Sequence, residues 1–220
     1  MISVPDGAAL EPTSGGPARS LVVLLHGYGA DANDLVPLAQ SWRLSLPQTA
    51  FAVPDAPAQA VGNPFGRQWF PIAMGDPTKI RDGVHEVEAE LDLFLDQELE
   101  ARGLDNRNLA IMGFSQGAVL ALHVGLRRQG PIAAILAFSG LLAVPPPVRL
   151  AFPPVLLGHG ANDSLIPASA MQNANDGLTA AGVDVEALLR PGLGHGIDEA
   201  ELTAGAKFLA AALAARDLTA

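Results

Sequence analysis

The chain has 220 residues, a formal net charge of −10 and no cysteine, which is enough length for one sizeable core and excludes disulfides, thiolate metal sites and a cysteine nucleophile. The acidic balance argues against nucleic acid and anionic membrane surfaces as partners, because both repel such a protein at long range. The longest apolar runs, such as residues 132–138, fall far short of the roughly 20 residues that span a bilayer, and the opening residues lack the pattern of a secretion signal, so a cytoplasmic protein without stable membrane insertion is expected.

In chain order, a turn-rich segment at 11–18 precedes the first apolar run, 21–25, and a second run follows at 51–53. Residues 80–102 have helical spacing: Val84, Val87, Leu91, Phe94, Leu95 and Leu99 form one stripe, and Glu86, Glu88, Glu90, Asp92, Asp96 and Glu100 read as a solvated opposite face. The runs 109–112, 132–138 and 155–157 are again continuous Val, Ile, Leu and Phe-rich stretches, with 118–126 helical between the first two and a turn-rich loop at 144–154. Residues 185–189 read as an outer strand, and a helix closes the chain. Continuous apolar strands alternating with amphipathic helices predict an α/β fold, with a mostly parallel central sheet covered by helices on both faces. No linker divides residues 1–220, so one domain is expected. In such sheets the working residues sit in loops beyond the carboxyl ends of the strands.

One loop has a chemical signature. Gly113-Phe114-Ser115-Gln116-Gly117 lies between the run 109–112 and the helical stretch from Ala118, the strand, turn and helix context of a nucleophile elbow. A serine at the apex of so tight a turn has strained backbone angles, and glycine at 113 and 117 removes side chains that would collide.

A serine hydroxyl is a weak nucleophile at neutral pH, so it needs a base and a group to orient that base. Of the five histidines, His195 lies in the glycine-rich loop Gly192-Leu193-Gly194-His195-Gly196 after the outer strand, which suits the order Ser, Asp, His of this elbow. His85 and His123 fall within helices and read as solvated or structural; His85-Glu86 is not a zinc helix motif, since position 89 is Ala. Asp163, directly after the run 155–157, is the chosen acid, with capping of a helix near Pro167 as its other reading. Asp184 and Asp198 are weaker candidates, one preceding a strand and the other suited to cap a helix. The backbone N–H groups of Gln116 and of Tyr28, in Leu25-His26-Gly27-Tyr28-Gly29, are the expected oxyanion-hole donors, with His26 holding its loop.

Together with Trp69-Phe70 and with Gly160-Ala161-Asn162-Asp163 through Pro167, these segments resemble the phospholipase/carboxylesterase family, which includes the acyl-protein thioesterases. The resemblance spans roughly residues 20–210 in the right order. It implies an α/β-hydrolase fold without a large cap domain, and carries the nucleophile, acid and base roles onto Ser115, Asp163 and His195 and the oxyanion amides onto Tyr28 and Gln116. It implies no cofactor and no metal, and it leaves a homodimer open. Two positions depart from the family pattern: Ala118 where glycine is common, and Pro71 where aspartate commonly follows Trp-Phe. The second bears on the shape of the site entrance.

The reading is a serine carboxylesterase acting on small-molecule esters, with lysophospholipids and acyl thioesters within its scope. Too few residues separate Gly140 from Phe152 for a lid domain, so the cleft is expected to be open. Trp69, Phe70 and Ile166 are candidates for an acyl-binding wall, core packing being the other reading of each. A peptidase or other amide hydrolase could use the same triad, and a noncatalytic binding module on a hydrolase shell is the reading from another class.

Overall fold

The computed structural model describes residues 3–72, 77–149 and 151–215. Along the chain they form β1 (Ala8–Leu10), β2 (Ser20–Leu25), α1 (Ala32–Ser45), β3 (Thr49–Val53), β4 (Ala58–Gln59), β5 (Arg67–Gln68) and α2 (Pro77–Arg102). After a short 3-10 turn come β6 (Leu109–Phe114), α3 (Gln116–Gly125), β7 (Ala134–Phe138), β8 (Val155–Gly160), α4 (Ser169–Ala180), β9 (Val185–Arg190) and α5 (Glu199–Ala215).

Seven strands pair in the order β1-β3-β2-β6-β7-β8-β9. All neighbours are parallel except β1 against β3, an antiparallel edge that pairs Ala8 with Val53 and Leu10 with Phe51. The architecture is that of an α/β hydrolase. Because successive side chains on a strand point to opposite faces, β2 sends Leu21, Val23 and Leu25 into one core layer with α2, α3 and α4. It sends Val22 and Leu24 into the other, with α1 and α5. Both layers exclude water, which is why the central strands read as unbroken apolar runs.

Each of the six strand expectations meets a strand, but with shifted ends. β6 runs on through Phe114, β8 continues through Gly158-His159-Gly160, and β7 begins only at Ala134. A Gly-His-Gly tail has poor intrinsic strand character; it is held by pairing with Leu188, Leu189 and Arg190 of β9. β1 was not foreseen, since three residues of Ala-Ala-Leu give no alternation to read.

α2 starts a turn before the predicted helix, at Pro77, a residue whose fixed φ suits a first helical position. Its stripe from Val84 to Leu99 is buried as expected. The acidic face is only partly solvated. Glu86, Asp96 and Glu100 are exposed, whereas Glu88, Glu90 and Asp92 are half-buried. Asp92 and Asp96 hold the buried guanidinium of Arg128 at 2.9 and 2.6 Å. Among the described residues no helix is long and apolar enough to cross a membrane.

Candidate active site

The turn from β6 into α3 puts Ser115 at φ 54° and ψ −115°, a conformation that costs a non-glycine residue on the order of 1–3 kcal/mol. Neighbouring hydrogen bonds hold it there. Ser115 N–H donates to the Phe138 carbonyl at 2.9 Å, and its own carbonyl accepts from Ala118 at 3.0 Å and Val119 at 3.2 Å. The flanking glycines have distinct roles: a Cβ on Gly113 would strike the Gly117 backbone, and one on Gly117 would strike the Leu25 carbonyl of the adjacent strand. The elbow is thus packed against β2 as well as folded on itself.

Ser115 Oγ lies 2.9 Å from His195 Nε2, and His195 Nδ1 lies 2.7 Å from Asp163 Oδ2. Since an ionised carboxylate only accepts, Nδ1 carries the proton and Nε2 is left with its lone pair toward the hydroxyl. The other oxygen of Asp163 accepts the N–H groups of Leu165 and Ile166, both at 2.9 Å. Burial pushes the Asp163 carboxyl up, but the bonds from His195, Ile166 and Leu165 outweigh it and hold the group below the ordinary aspartate value. Asp163 does form an aspartate turn with its own loop, and in the same position it also holds His195.

A second imidazole, His159, was not singled out from the sequence. It is buried at the end of β8, donates from Nε2 to the Ile166 carbonyl at 2.9 Å, and lies 3.3 Å from Asp163 Oδ2. The only sequence signal was a histidine just after an apolar run. Asp184 is exposed, and Asp198 pairs with Arg190 at 2.8 Å while accepting the Glu201 N–H at 2.9 Å. Neither reaches His195 through a described hydrogen bond.

The 26–29 turn lies against the elbow: a Cβ on Gly27 would sit 3.2 Å from the Ser115 Cβ and 3.3 Å from the Phe114 ring. His26 fixes this turn, donating from Nδ1 to the Gly27 carbonyl at 2.8 Å and accepting the Ala56 N–H on Nε2 at 3.0 Å. Burial lowers its pKa, so it stays a neutral strut. Tyr28 lies in this turn, and Gln116 follows Ser115 as the first residue of α3.

Trp69 and Phe70 do not present an acyl-binding surface. They are 1% and 2% exposed and belong to the core layer of α2 and α3. The Trp69 indole donates to the His26 carbonyl at 2.8 Å. The Gln116 side chain clamps both residues, accepting the Trp69 N–H at 2.9 Å and donating to the Phe70 carbonyl at 2.7 Å. Ile166 is half-buried and engaged through its backbone by Asp163 and His159. Pro71 is exposed, one residue before the end of the segment 3–72, and residues 73–76 after it lie outside the described residues.

Exposed apolar side chains include Leu165, two residues after Asp163, and two in the hairpin between β4 and β5. Val61 and Phe65 are 76% and 90% exposed. The hairpin is tied to the Tyr28 turn by Tyr28 Oη to the Val61 carbonyl at 2.9 Å, Asn63 Nδ2 to the Gly29 carbonyl at 3.0 Å, and Gly29 N–H to the Arg67 carbonyl at 2.8 Å. Two-residue strands around Asn63-Pro64-Phe65-Gly66 left no periodicity to read.

Behind the His195 loop, at the start of α5, Glu201 is fully buried. One carboxyl oxygen accepts the Asp198 N–H at 3.2 Å, and the other has no partner among the described residues. Burial pushes its pKa up to about 7, against the opposing pull of the Asp198 N–H.

A family model for phospholipase/carboxylesterase matches residues 11–213. The chain is 30% identical over 185 residues to the esterase YpfH of Escherichia coli (strain K12), covering 83% of this chain and 78% of that protein. It is also 30% identical over 167 residues to acyl-protein thioesterase 1 of Saccharomyces cerevisiae, covering 69% and 73% respectively. Among solved structures, that of esterase PE8 superposes with a TM-score of 0.90 at 39% identity, covering 96% of this chain and 100% of that one.

Proposed function

The chain belongs to the phospholipase/carboxylesterase family and is a carboxylic ester hydrolase; from that premise we propose that Ser115, His195 and Asp163 are its catalytic triad, with Tyr28 and Gln116 N–H as the oxyanion hole. The observation that carries this reading is the continuous hydrogen-bonded line from Ser115 Oγ through His195 to Asp163, at 2.9 and 2.7 Å.

Ser115 Oγ attacks the acyl carbonyl while His195 Nε2 takes its proton. The imidazolium is stabilised by Asp163, which stays ionised. Charge moves onto the carbonyl oxygen, and each backbone donor aimed there contributes about 3–4 kcal/mol in the transition state. Collapse expels the alcohol or thiol, protonated by His195, and leaves an acyl group on Ser115. Water, deprotonated by the same nitrogen, then attacks the acyl-enzyme and releases the acid, returning Ser115 to its starting state.

Val61 and Phe65, beside the Tyr28 turn, are the side chains we assign to the acyl chain. The substrates are small esters or thioesters met in the cytoplasm, and the net charge of −10 disfavours polyanionic ones. Residues 1–220 act as one domain, and among the described residues no cap domain is inserted over the site. Replacing Ser115 by Ala is expected to lower kcat on an activated short-chain ester by about a millionfold, as in dissected triads. Retained activity in a folded variant contradicts the assignment.

A further inference from the structure

Away from the serine, two helices bring together side chains that the sequence kept 35 residues apart. On α2, His85 and Glu88 are separated by one turn, and their Nδ1 and Oε2 atoms are 3.3 Å apart. From α3, His123 reaches the same Glu88 oxygen with Nε2 at 2.9 Å. The two imidazoles stand edge to face, 4.7 Å between centroids and 87° between planes. One potential ligand atom from each residue lies within 4.8 Å of the other two. The second imidazole that position 89 does not supply within α2 is supplied across the helix pair by His123, with Glu88 rather than Glu86 beside it.

We propose that His85, Glu88 and His123 form a three-ligand site for a zinc-class divalent ion, tying α2 to α3. In a tetrahedral zinc site with bonds of about 2.0–2.1 Å, neighbouring ligand atoms are about 3.3 Å apart. The two contacts to Glu88 Oε2 already stand near that spacing and the two imidazole nitrogens lie within 4.8 Å of each other, so binding calls for side-chain adjustment on fixed helices. Two imidazoles and one carboxylate suit zinc, nickel or cobalt; calcium and magnesium, which favour oxygen-rich shells, are poorly served. His85 is exposed, giving the ion a path in and a water a place in the fourth position, while His123 is buried and fixed. Binding requires each neutral imidazole to turn its lone pair to the ion, its N–H moving to the other ring nitrogen by exchange with solvent, with Glu88 as the anion. Arg127, whose charge also reaches Glu88, directs N–H groups to the His123 and Pro145 carbonyls at 3.1 and 2.7 Å.

The test is calorimetric titration of the untagged full chain with zinc chloride, and with magnesium chloride as the control, for wild type and His85→Ala. Wild type is expected to bind one zinc ion saturably and to melt at a higher temperature with zinc, with no response to magnesium. His85→Ala, at an exposed position, is expected to remain folded and to bind zinc about a hundredfold or more weakly, at or beyond the upper end of what losing an outer-shell partner costs. Glu88→Gln should behave alike. The absence of saturable zinc binding in wild type, or equal affinity in His85→Ala, overturns the proposal.

Discussion

Ser115 occupies a strained backbone position at φ 54°, and the residues around it show what that geometry accomplishes. The hydroxyl lies toward His195, and Gly27 lets the 26–29 turn pack against the elbow. Asp163 accepts N–H groups on both oxygens, one set from its loop and the other from His195. Replacing it with Asn keeps the shape but favours the wrong imidazole tautomer, so kcat on a short-chain ester is expected to fall about ten-thousandfold with little change in KM. Gln116→Ala keeps its backbone N–H but removes the partners of the buried Trp69 N–H and Phe70 carbonyl. Each orphaned group costs about 1–3 kcal/mol, so urea denaturation should report a loss of about 2–6 kcal/mol for the two. The meeting of Ser115, Asp163 and His195 was legible because each joins a polar residue type to a place after a strand. Trp69 and Phe70 were read as alternatives between wall and core because aromatic identity does not say which way a side chain faces.

At the scale of elements, the start of α5 holds the His195 loop through Arg190, Asp198 and Glu201. The Glu201 carboxyl has a folded pKa of about 7 against an ordinary 4.5. Between these values the folded protein binds the extra proton, so stability is fully present below about 4.5 and falls as pH rises through 7. The difference amounts to about 3 kcal/mol at about 1.4 kcal/mol per unit. Urea denaturation of wild type and Glu201→Gln across that window should show the wild-type decline nearly absent in the variant. The β4–β5 hairpin makes a separate prediction. Phe65→Ser is expected to raise KM about tenfold for long acyl esters, the equivalent of losing most of one aromatic contact, and to leave acetyl esters unchanged. Kinetics over graded chain lengths check this. The closing helix was legible, but neither the hairpin nor the burial of Glu201 could be read in advance. The hairpin strands are two residues each, and Glu201 looks in sequence like any acid in a first helical turn.

Over the whole molecule, Ser115 follows β6, Asp163 follows β8 and His195 follows β9, all at the carboxyl edge of one parallel sheet. The order of apolar runs was enough to read the α/β architecture and to place these loops on one edge. It did not reveal the antiparallel edge strand β1, the tail of β8 carried by pairing, or the meeting of α2 and α3 at Glu88, because those depend on partners distant in sequence. The central claim is that Ser115 becomes acylated during turnover. Incubation of the native protein with a fluorophosphonate, followed by peptide mass spectrometry, tests it most directly. One adduct per chain on the Ser115 peptide, formed in step with loss of esterase activity and absent in Ser115→Ala, is the predicted result. Activity lost through an adduct at another residue, with Ser115 unmodified, would contradict it.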